Sequence, residues 1–336
     1  MQIDVVVEVD LAPDQVAELA VAAERHGIRG LWTQNYANAR DPFMALMPAA
    51  AATKRILLGA VAISPYEMHP LKIANAVATL HEYSGGRGMV VIGAGGEWPG
   101  VLSVDYGKRI TGAREAVAMV KRAVAGQVVK WNGEVYKSRY FHSTWVKGSP
   151  PIIYAGATGP KMLDMATRYA DGTMFSDMIM PMLDRTMGHV RDGVARHGRK
   201  PGEFRVNNFC AFHVKADREA SFREARRELM LRGWLDEAWY APFLTAEESR
   251  FVAENKGPFL TAFRTKSDIK GVPPEICAKL VEGLSLAGDL SDLDRHAERL
   301  RAFSAAGITE HALRLHDDPR AGLDIIGREL LPRLRG

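Results

Sequence analysis

The clearest signal for the fold is the segment ILLGAVAISPYEMHPLKIANAVATLHEYSGGRGMVVIGAGG, residues 56–96. It contains a continuous apolar run at 56–63, a proline-started helical pattern at 70–83 and a second apolar run at 89–92. Continuous apolar runs are typical of strands that are covered on both faces, as in parallel sheets. The stretch therefore predicts one strand–helix–strand unit of a parallel sheet.

The same unit recurs along the chain. We predict strands at 3–9, 31–32, 56–63, 89–92, 151–154, 173–175, 204–214 and 309–315. A predicted helix follows each strand, at 13–26, 41–52, 70–83, 107–125, 160–169, 182–197, 218–231 and 319–334. Eight such units in 336 residues favour a closed (β/α)8 barrel, the TIM-barrel class of α/β proteins, over an open sheet.

We predict two insertions in this barrel. Residues 127–145 have the pattern of a β-hairpin with Asn132 and Gly133 at its turn. Residues 233–289, between strands seven and eight, are a longer helical insertion rich in aromatic residues. This insertion either covers the active site, buries a subunit interface or forms an additional helical layer away from substrate. Since no linker-like segment divides the chain, we expect residues 1–336 to form one domain.

Composition argues against several classes of protein. The formal charge is +4, and no run of basic residues alternates with aromatic ones, which argues against a nucleic-acid partner. No apolar run reaches the roughly 18 residues of a membrane helix, and no signal-peptide pattern is present, so we expect a cytoplasmic protein. Cys210 and Cys277 form no disulfide framework, and the histidines lack ligand spacing, so we predict no metal site.

In a TIM barrel, the segments that follow the strands build the active site. After strand four, Gly93, Gly95 and Gly96 allow the backbone to approach a flat ring closely, although a tight turn is an alternative explanation. A dinucleotide fingerprint, G-x-G-x-x-G, is excluded because Trp98 occupies the place of its last glycine.

The segment after strand five has the features of a phosphate site. Residues 156–159 precede a helix that Pro160 begins, and the unpaired N–H groups of a helix start suit a phosphate. The alternative explanation is that Thr158 simply caps this helix.

Four stretches together resemble the luciferase-like superfamily. They are SPYEMHP at 64–70, ATLHEYSGGR at 78–87, IGAGG at 92–96 and YAGATGPKMLDMA at 154–166. They occur in the family's order, and the resemblance covers the whole chain. The most similar branch contains the methylenetetrahydromethanopterin reductases and the coenzyme F420-dependent dehydrogenases.

The resemblance implies a flavin-like cofactor across the barrel mouth, coenzyme F420 or, as the alternative, FMN. It implies a non-proline cis peptide in the bulge of strand three, which corresponds here to Val61–Ala62. It also implies that the cofactor phosphate lies near the turn before Pro160. The cofactor-binding residues predicted in this way are Val61, Ala62, Ser64, Gly95, Gly96, Gly156, Thr158, Gly159, Lys161 and Met162.

The chain departs from this branch at its acid–base residues. Relatives end strand two with Asp-His, whereas this chain has Gln34-Asn35, which can form hydrogen bonds but cannot relay a proton near neutral pH. Relatives often carry an acidic residue at the position of Gly96; here Glu97 follows one residue later, where it is either functional or a solvated loop charge. We predict that the ring is held by Gln34, Asn35 and Ser64, and that the proton is managed by Glu8 or Glu97.

Substrate contacts are predicted from His69, Trp98 and Ser176. His69 has an alternative role as the cap of the Pro70 helix. Relatives that act on sugar phosphates carry basic residues beyond strand six, but residues 175–180 here are apolar and slightly acidic. We therefore expect a small, fairly apolar substrate without a phosphate.

Three functions follow from these patterns. The main hypothesis is hydride transfer between reduced coenzyme F420 and an organic substrate. The first alternative is an FMN-dependent monooxygenase that uses oxygen and reduced flavin from a separate cofactor reductase. The second alternative is a ligand-binding barrel without catalysis. The resemblance also implies a homodimer.

Overall fold

The computed structural model describes residues 1–96, 98–105, 107–200 and 202–335, with residues 98 and 99 described by their backbone alone. Its strands are β1 Gln2–Val7, β2 Gly30–Gln34, β3 Leu57–Ile63, β4 Gly88–Ile92, β5 Val129–Asn132, β6 Lys137–Phe141, β7 Ile152–Gly156, β8 Gly172–Ser176, β9 Arg205–Phe212, β10 Ser285–Leu286 and β11 Glu310–Arg314.

Eight of these strands form a closed parallel barrel. Their order is β11, β1, β2, β3, β4, β7, β8 and β9, and β9 returns to pair with β11. The predicted (β/α)8 barrel is therefore confirmed, and the predicted barrel strands differ from the observed ones only at their ends. One such end matters for the site: β1 stops at Val7, so Glu8 lies just beyond the strand rather than within it.

The helices lie outside the barrel or in the connections above it. They are α1 Pro13–His26, α2 Pro42–Ala52, α3 Pro70–Tyr83, α4 Trp98–Leu102, α5 Arg109–Val124, α6 Pro160–Tyr169, α7 Met180–Arg196, α8 Arg218–Arg227, α9 Glu237–Tyr240, α10 Ala246–Glu254, α11 Lys256–Thr265, α12 Pro274–Leu284, α13 Leu293–Ala305, α14 Pro319–Ile325 and α15 Leu331–Arg335. Proline in the first turn begins α1, α2, α3 and α6, where its fixed φ suits the helix and its missing N–H costs nothing. Among the described residues, no helix is long and apolar enough to cross a membrane.

The barrel interior is packed by side chains from alternate positions of the strands. Val6, Trp32, Met89 and Tyr154 belong to this inner cluster and are at most 1% exposed, whereas the residues under the helices form a separate, larger cluster. A Cβ on Gly59 would lie 2.4 Å from the Trp32 ring, so only glycine leaves room for that indole.

Ion pairs close the amino-terminal end of the barrel. Arg29 lies 2.5 Å from carboxylate oxygens of both Asp4 and Glu310, and the hydroxyl of Tyr154 donates to Glu310 at 2.7 Å. This end is therefore filled with paired charges. The cleft described below lies at the opposite, carboxyl end of the strands.

The predicted hairpin is present, but its turn is longer than an Asn-Gly pair. Strands β5 and β6 are antiparallel, and the connection runs from Gly133, whose N–H donates to the carbonyl of Tyr136. The carboxylate of Glu115 on α5 accepts the N–H groups of Glu134, Val135 and Tyr136. This carboxylate, rather than a two-residue turn, fixes the loop.

Between β9 and β11, the chain forms α8 to α13 and the short strand β10. A third apolar cluster lies in this segment and includes Leu229, Tyr240, Phe259 and Leu280, so most of the segment's aromatic residues pack within it. Helix α13 was not predicted, although its buried residues Leu293, Ala297, Leu300 and Phe303 recur at helical spacing. The pattern was masked by the charged residues between them.

Candidate active site

A cleft of about 220 Å³ opens at the carboxyl ends of the barrel strands. Its apolar lining includes Val91, Met174, Phe175 and Phe209. Nine of the predicted site residues also line it, and they come from five different strands and their following loops: Gln34, Asn35, Val61, Ala62, Ser64, Gly95, Gly96, Gly156 and Ser176. Residues far apart in the sequence thus meet in one concave site.

The bulge of β3 forms part of the cleft lining. The pairing of β3 with β4 shifts register between Ala60 and Ile63, and the peptide bond between Val61 and Ala62 is cis, as the resemblance predicted. The backbone N–H of Asn35 donates to the carbonyl of Val61 at 2.9 Å. This hydrogen bond connects the end of β2 to the bulge.

Polar side chains lie beside this bulge. Gln34 is buried and its Nε2 donates to the carbonyl of Val7 at 3.2 Å, while Asn35 Nδ2 donates to the carbonyl of Ala62 at 3.2 Å. The Ser64 hydroxyl accepts the N–H of Tyr66 at 3.1 Å, so its own proton remains available as a donor. These amides and the hydroxyl can orient a polar ring edge.

Glu67 is the titratable group that sequence reasoning missed. Its Oε1 accepts from Asn35 Nδ2 and from the Ser64 backbone N–H, both at 2.6 Å. Burial raises the pKa of Glu67 to about 7, even though these two hydrogen bonds favour the charged form. The signal in the sequence was a lone carboxylate inside SPYEMHP, which was treated as a spacer within a motif.

The turn before α6 has the geometry of an anion site. Gly159 is the N-cap residue with extended backbone, and no side chain caps the helix, so the expected alternative of a Thr158 cap is wrong. The first-turn N–H groups, among them those of Lys161 and Met162, have no partners within the helix. Of the predicted cofactor-binding residues at 156–162, Gly156 is the one that lines the cleft. At Gly159 the space is open, because a Cβ there would meet no atom within 4 Å.

Glu8 lies outside the cleft in an ion pair. Its carboxylate accepts from Arg314 Nε at 2.9 Å and lies 3.0 Å from His316 Nδ1. Burial opposes ionisation, but the charge of Arg314 and the contact with His316 outweigh it and hold the pKa of Glu8 well below its ordinary value. A carboxylate that stays ionised and paired does not support the predicted proton role, so we do not propose that role for Glu8.

The predicted substrate residues are placed differently. His69 is exposed, is not among the cleft-lining residues and caps α3 by accepting the N–H of Leu71 at 3.2 Å, as the alternative explanation proposed. Ser176 lines the cleft at the end of β8. Trp98 begins α4, but its side chain, like the whole of Glu97, lies outside what the structure describes.

Trp234 is a further lining residue that the sequence did not single out. It is 58% exposed, has a left-handed backbone with φ of 55° and lies in the 3-10 turn Leu229–Leu235 after α8. Asp177, just beyond β8, anchors this turn: it accepts from Arg232 Nη1 at 2.7 Å, and both side chains are almost fully buried. The insertion thus contributes one aromatic ring to the cleft.

A closed barrel with an apolar, polar-edged cleft at the carboxyl ends of its strands is the architecture of a TIM-barrel enzyme. The model of the luciferase-like monooxygenase family matches residues 3–310, so the chain belongs to that family. The family assignment made from the four sequence stretches is therefore confirmed.

Three proteins are similar to the chain over nearly its whole length. It is 28% identical to 5,10-methylenetetrahydromethanopterin reductase of Archaeoglobus fulgidus, over 93% of each chain. It is 27% identical to F420-dependent glucose-6-phosphate dehydrogenase of Nakamurella multipartita, over 96% of this chain and 93% of that one. The structure of coenzyme F420-dependent tetrahydromethanopterin reductase from Methanopyrus kandleri superposes with a TM-score of 0.80 at 22% identity, covering 99% of this chain and 100% of that one.

Proposed function

We propose that the protein is an oxidoreductase that transfers a hydride between coenzyme F420 and a small, fairly apolar organic substrate. The observation that carries the proposal is the cleft itself, which combines apolar walls, an amide-and-hydroxyl edge and a nearby uncapped helix start. The relative named F420-dependent glucose-6-phosphate dehydrogenase supports the choice of cofactor.

The described residues fit a deazaflavin in shape and chemistry. A flat ring requires an apolar slot, and Val91, Met174 and Phe209 supply apolar lining. A ring with carbonyl and N–H groups requires hydrogen-bonding partners, which Gln34 and Asn35 supply. The volume of about 220 Å³ is below that of most drug-sized pockets, about 300–1,000 Å³, so it suits the ring rather than the whole cofactor.

The phosphate of such a cofactor fits the start of α6. Backbone N–H groups there are directed out of the helix, and the helix dipole favours negative charge. The exposed side chain of Lys161 adds a positive charge at this end. We propose that Thr158, Gly159, Lys161 and Met162 hold the phosphate, while Gly156 connects this turn to the cleft.

When bound, the deazaflavin would supply the hydride chemistry, and the protein would orient the reactants and exclude water. The amide of Gln34, fixed through Val7, would orient the ring edge, and the apolar walls would exclude water. We retain Gln34 and Asn35 as positioning groups and Glu97 as a candidate proton carrier.

The substrate would lie against the face of the ring that the cofactor leaves open. Ser176 supplies one polar contact and Trp234 an exposed aromatic surface at the cleft mouth. Arg232, the basic side chain two residues before Trp234, is buried and paired with Asp177, so it is not free to bind a substrate phosphate. This supports the apolar substrate class.

Titration of the purified protein with oxidised coenzyme F420 and, separately, with FMN tests the proposal. We expect fluorescence quenching by the deazaflavin at lower concentration than by FMN. Ser176→Trp should fill the cleft and abolish binding, whereas Lys130→Trp on the exposed face of β5 should not. Binding of FMN alone would support an oxygen-using monooxygenase instead, and binding of neither by the folded protein would support a barrel without this chemistry.

We also propose that residues 1–336 act as one domain, in a cytoplasmic homodimer that uses small-molecule ligands. Limited proteolysis, light scattering after size exclusion and cell fractionation test these three points separately. A monomer at micromolar concentration would refute the dimer without affecting the cofactor proposal.

A further inference from the structure

We propose that Glu67 is a positioning residue: it fixes the side-chain amide of Asn35 so that the amide oxygen Oδ1 is available to the cleft. Asn35 and Ser64 together then select a ligand edge that bears an N–H beside a carbonyl. The ligand part of this proposal rests on the proposed function. The hydrogen-bond part concerns the protein alone and can be tested without any ligand.

The orientation of the Asn35 amide follows from its partners. Nδ2 carries two hydrogens, and two acceptors lie within reach: the carbonyl of Ala62 at 3.2 Å and Oε1 of Glu67 at 2.6 Å. Turning the amide over would place its oxygen against both acceptors, which is repulsive. Because both hydrogens are used by the protein, Oδ1 is the atom of the Asn35 amide left to accept from a ligand.

Glu67 is held in place for this purpose. The Ser64 backbone N–H donates to the same Oε1 at 2.6 Å, so the carboxyl is anchored from the bulge side as well. Its second oxygen, Oε2, is buried without a hydrogen-bond partner among the described residues. Burying a carboxyl oxygen without a hydrogen bond costs free energy, and the two hydrogen bonds to Oε1 offset part of that cost and fix the side chain. One of these hydrogen bonds comes from the side-chain amide of Asn35, which lines the cleft, so Glu67 fixes that amide.

Ser64 supplies the complementary donor. Its hydroxyl oxygen accepts from the N–H of Tyr66 at 3.1 Å, which directs the hydroxyl proton elsewhere. Ser64 and Asn35 both line the cleft, and the Ser64 backbone N–H and Asn35 Nδ2 both donate to Oε1 of Glu67, so the two residues are neighbours. An acceptor beside a donor matches a cyclic imide, the –CO–NH–CO– edge that deazaflavins and flavins share.

The first test observes the Asn35 side chain in the protein without ligand, by NMR of protein labelled with 15N-asparagine. Asn35→Ser identifies the signal by its loss. We expect two well-separated amide protons protected from solvent exchange in the native protein and in Glu67→Gln, which keeps an acceptor oxygen. Glu67→Leu should move the signal to random-coil values. An unchanged signal in Glu67→Leu would overturn the proposal.

The second test measures the affinity for 5-deaza-FMN and for its N3-methyl derivative, in which the imide N–H is blocked. The native protein and Glu67→Gln should prefer the unblocked ring by about tenfold, the equivalent of one good hydrogen bond. Glu67→Leu and Asn35→Ser should lose the preference while remaining folded by thermal unfolding. Equal preference in all four proteins would overturn the selection of the imide edge.

The two tests separate the possible failures. If neither ring binds the native protein, both the proposed function and the imide selection fail, whereas the NMR result still decides whether Glu67 fixes Asn35. If the ring binds but Glu67→Leu retains the preference, the cofactor proposal stands and the role of Glu67 is refuted.

Discussion

Replacing Arg232 by Met is expected to destabilise the protein by about 3 kcal/mol. Arg232 and Asp177 are only 2% and 3% exposed, and their atoms lie 2.7 Å apart. Removing one partner of a buried pair typically costs about 3–5 kcal/mol, because the other charge is left unpaired. Asp177 keeps longer contacts from the Ser176 hydroxyl at 3.1 Å and the Gly233 N–H at 3.3 Å, which places the expected cost at the lower end.

The double variant Arg232→Met with Asp177→Asn should recover most of this loss. A neutral amide in place of Asp177 leaves no unpaired charge, so we expect stability within about 1 kcal/mol of the native protein. Arg295→Met serves as the matched control: Arg295 is 49% exposed and pairs with Glu282 at 3.0 Å and with Asp292 at 3.1 Å. Asp292 keeps Arg218 as a second partner, so the loss of Arg295 should cost less than about 1 kcal/mol.

Urea unfolding followed by far-UV circular dichroism measures these differences. With a slope of about 3 kcal/mol per molar urea, Arg232→Met should lower the midpoint by about 1 M. A shift no larger than that of Arg295→Met would refute the reasoning that this pair anchors the segment carrying Trp234. Failure of the double variant to recover would show that packing of Arg232, rather than its charge, is what matters.

Three further predictions concern single side chains. Trp234→Gly should raise the free energy of unfolding by about 1 kcal/mol, because glycine adopts the left-handed backbone without strain. The same change should weaken the binding of apolar substrates. A variant less stable than the native protein would contradict the prediction on stability. Folding raises the pKa of Glu67 from 4.5 to about 7, so between these pH values the folded state binds a proton that the unfolded state has lost. The native protein should therefore lose stability relative to Glu67→Gln as pH rises from about 4.5 to about 7. We expect a loss of about 1–2 kcal/mol after allowance for solvent screening. Parallel urea midpoints for the two proteins at pH 5 and pH 8 would refute that assignment. Lys161→Ala should weaken the binding of phosphate-bearing cofactors by about tenfold at low salt and by less at high salt, whereas Lys130→Ala should leave it unchanged. Equal effects of the two substitutions on affinity would exclude a phosphate site at the start of α6.

The barrel was predictable because its signal is local and repeated. Each strand is a short apolar run, and prolines mark the starts of α1, α2, α3 and α6. Helix α13 was missed because its four buried residues are separated by charged ones. Gly133 was correctly expected in the loop after β5, but the carboxylate that fixes this loop, Glu115, was not, because it is distant in sequence.

The candidate site was predictable at its glycines, because glycine is the residue that lets the backbone approach a ligand closely. Gly95, Gly96 and Gly156 line the cleft, as glycines after barrel strands were expected to do. Carboxylates were harder, because the sequence does not show their partners. Glu8 is paired with Arg314, whereas Glu67 is half-buried against Asn35, and only the fold reveals which carboxyl has its pKa raised.

We propose that the cleft at the carboxyl ends of the strands holds a deazaflavin ring. A crystal structure of the protein with coenzyme F420 tests it most directly. We predict the ring between the Val61–Ala62 bulge and Met174, its imide edge toward Asn35 and Ser64, and its phosphate at the start of α6. A ring bound elsewhere, or a phosphate directed away from Gly159, would contradict the account.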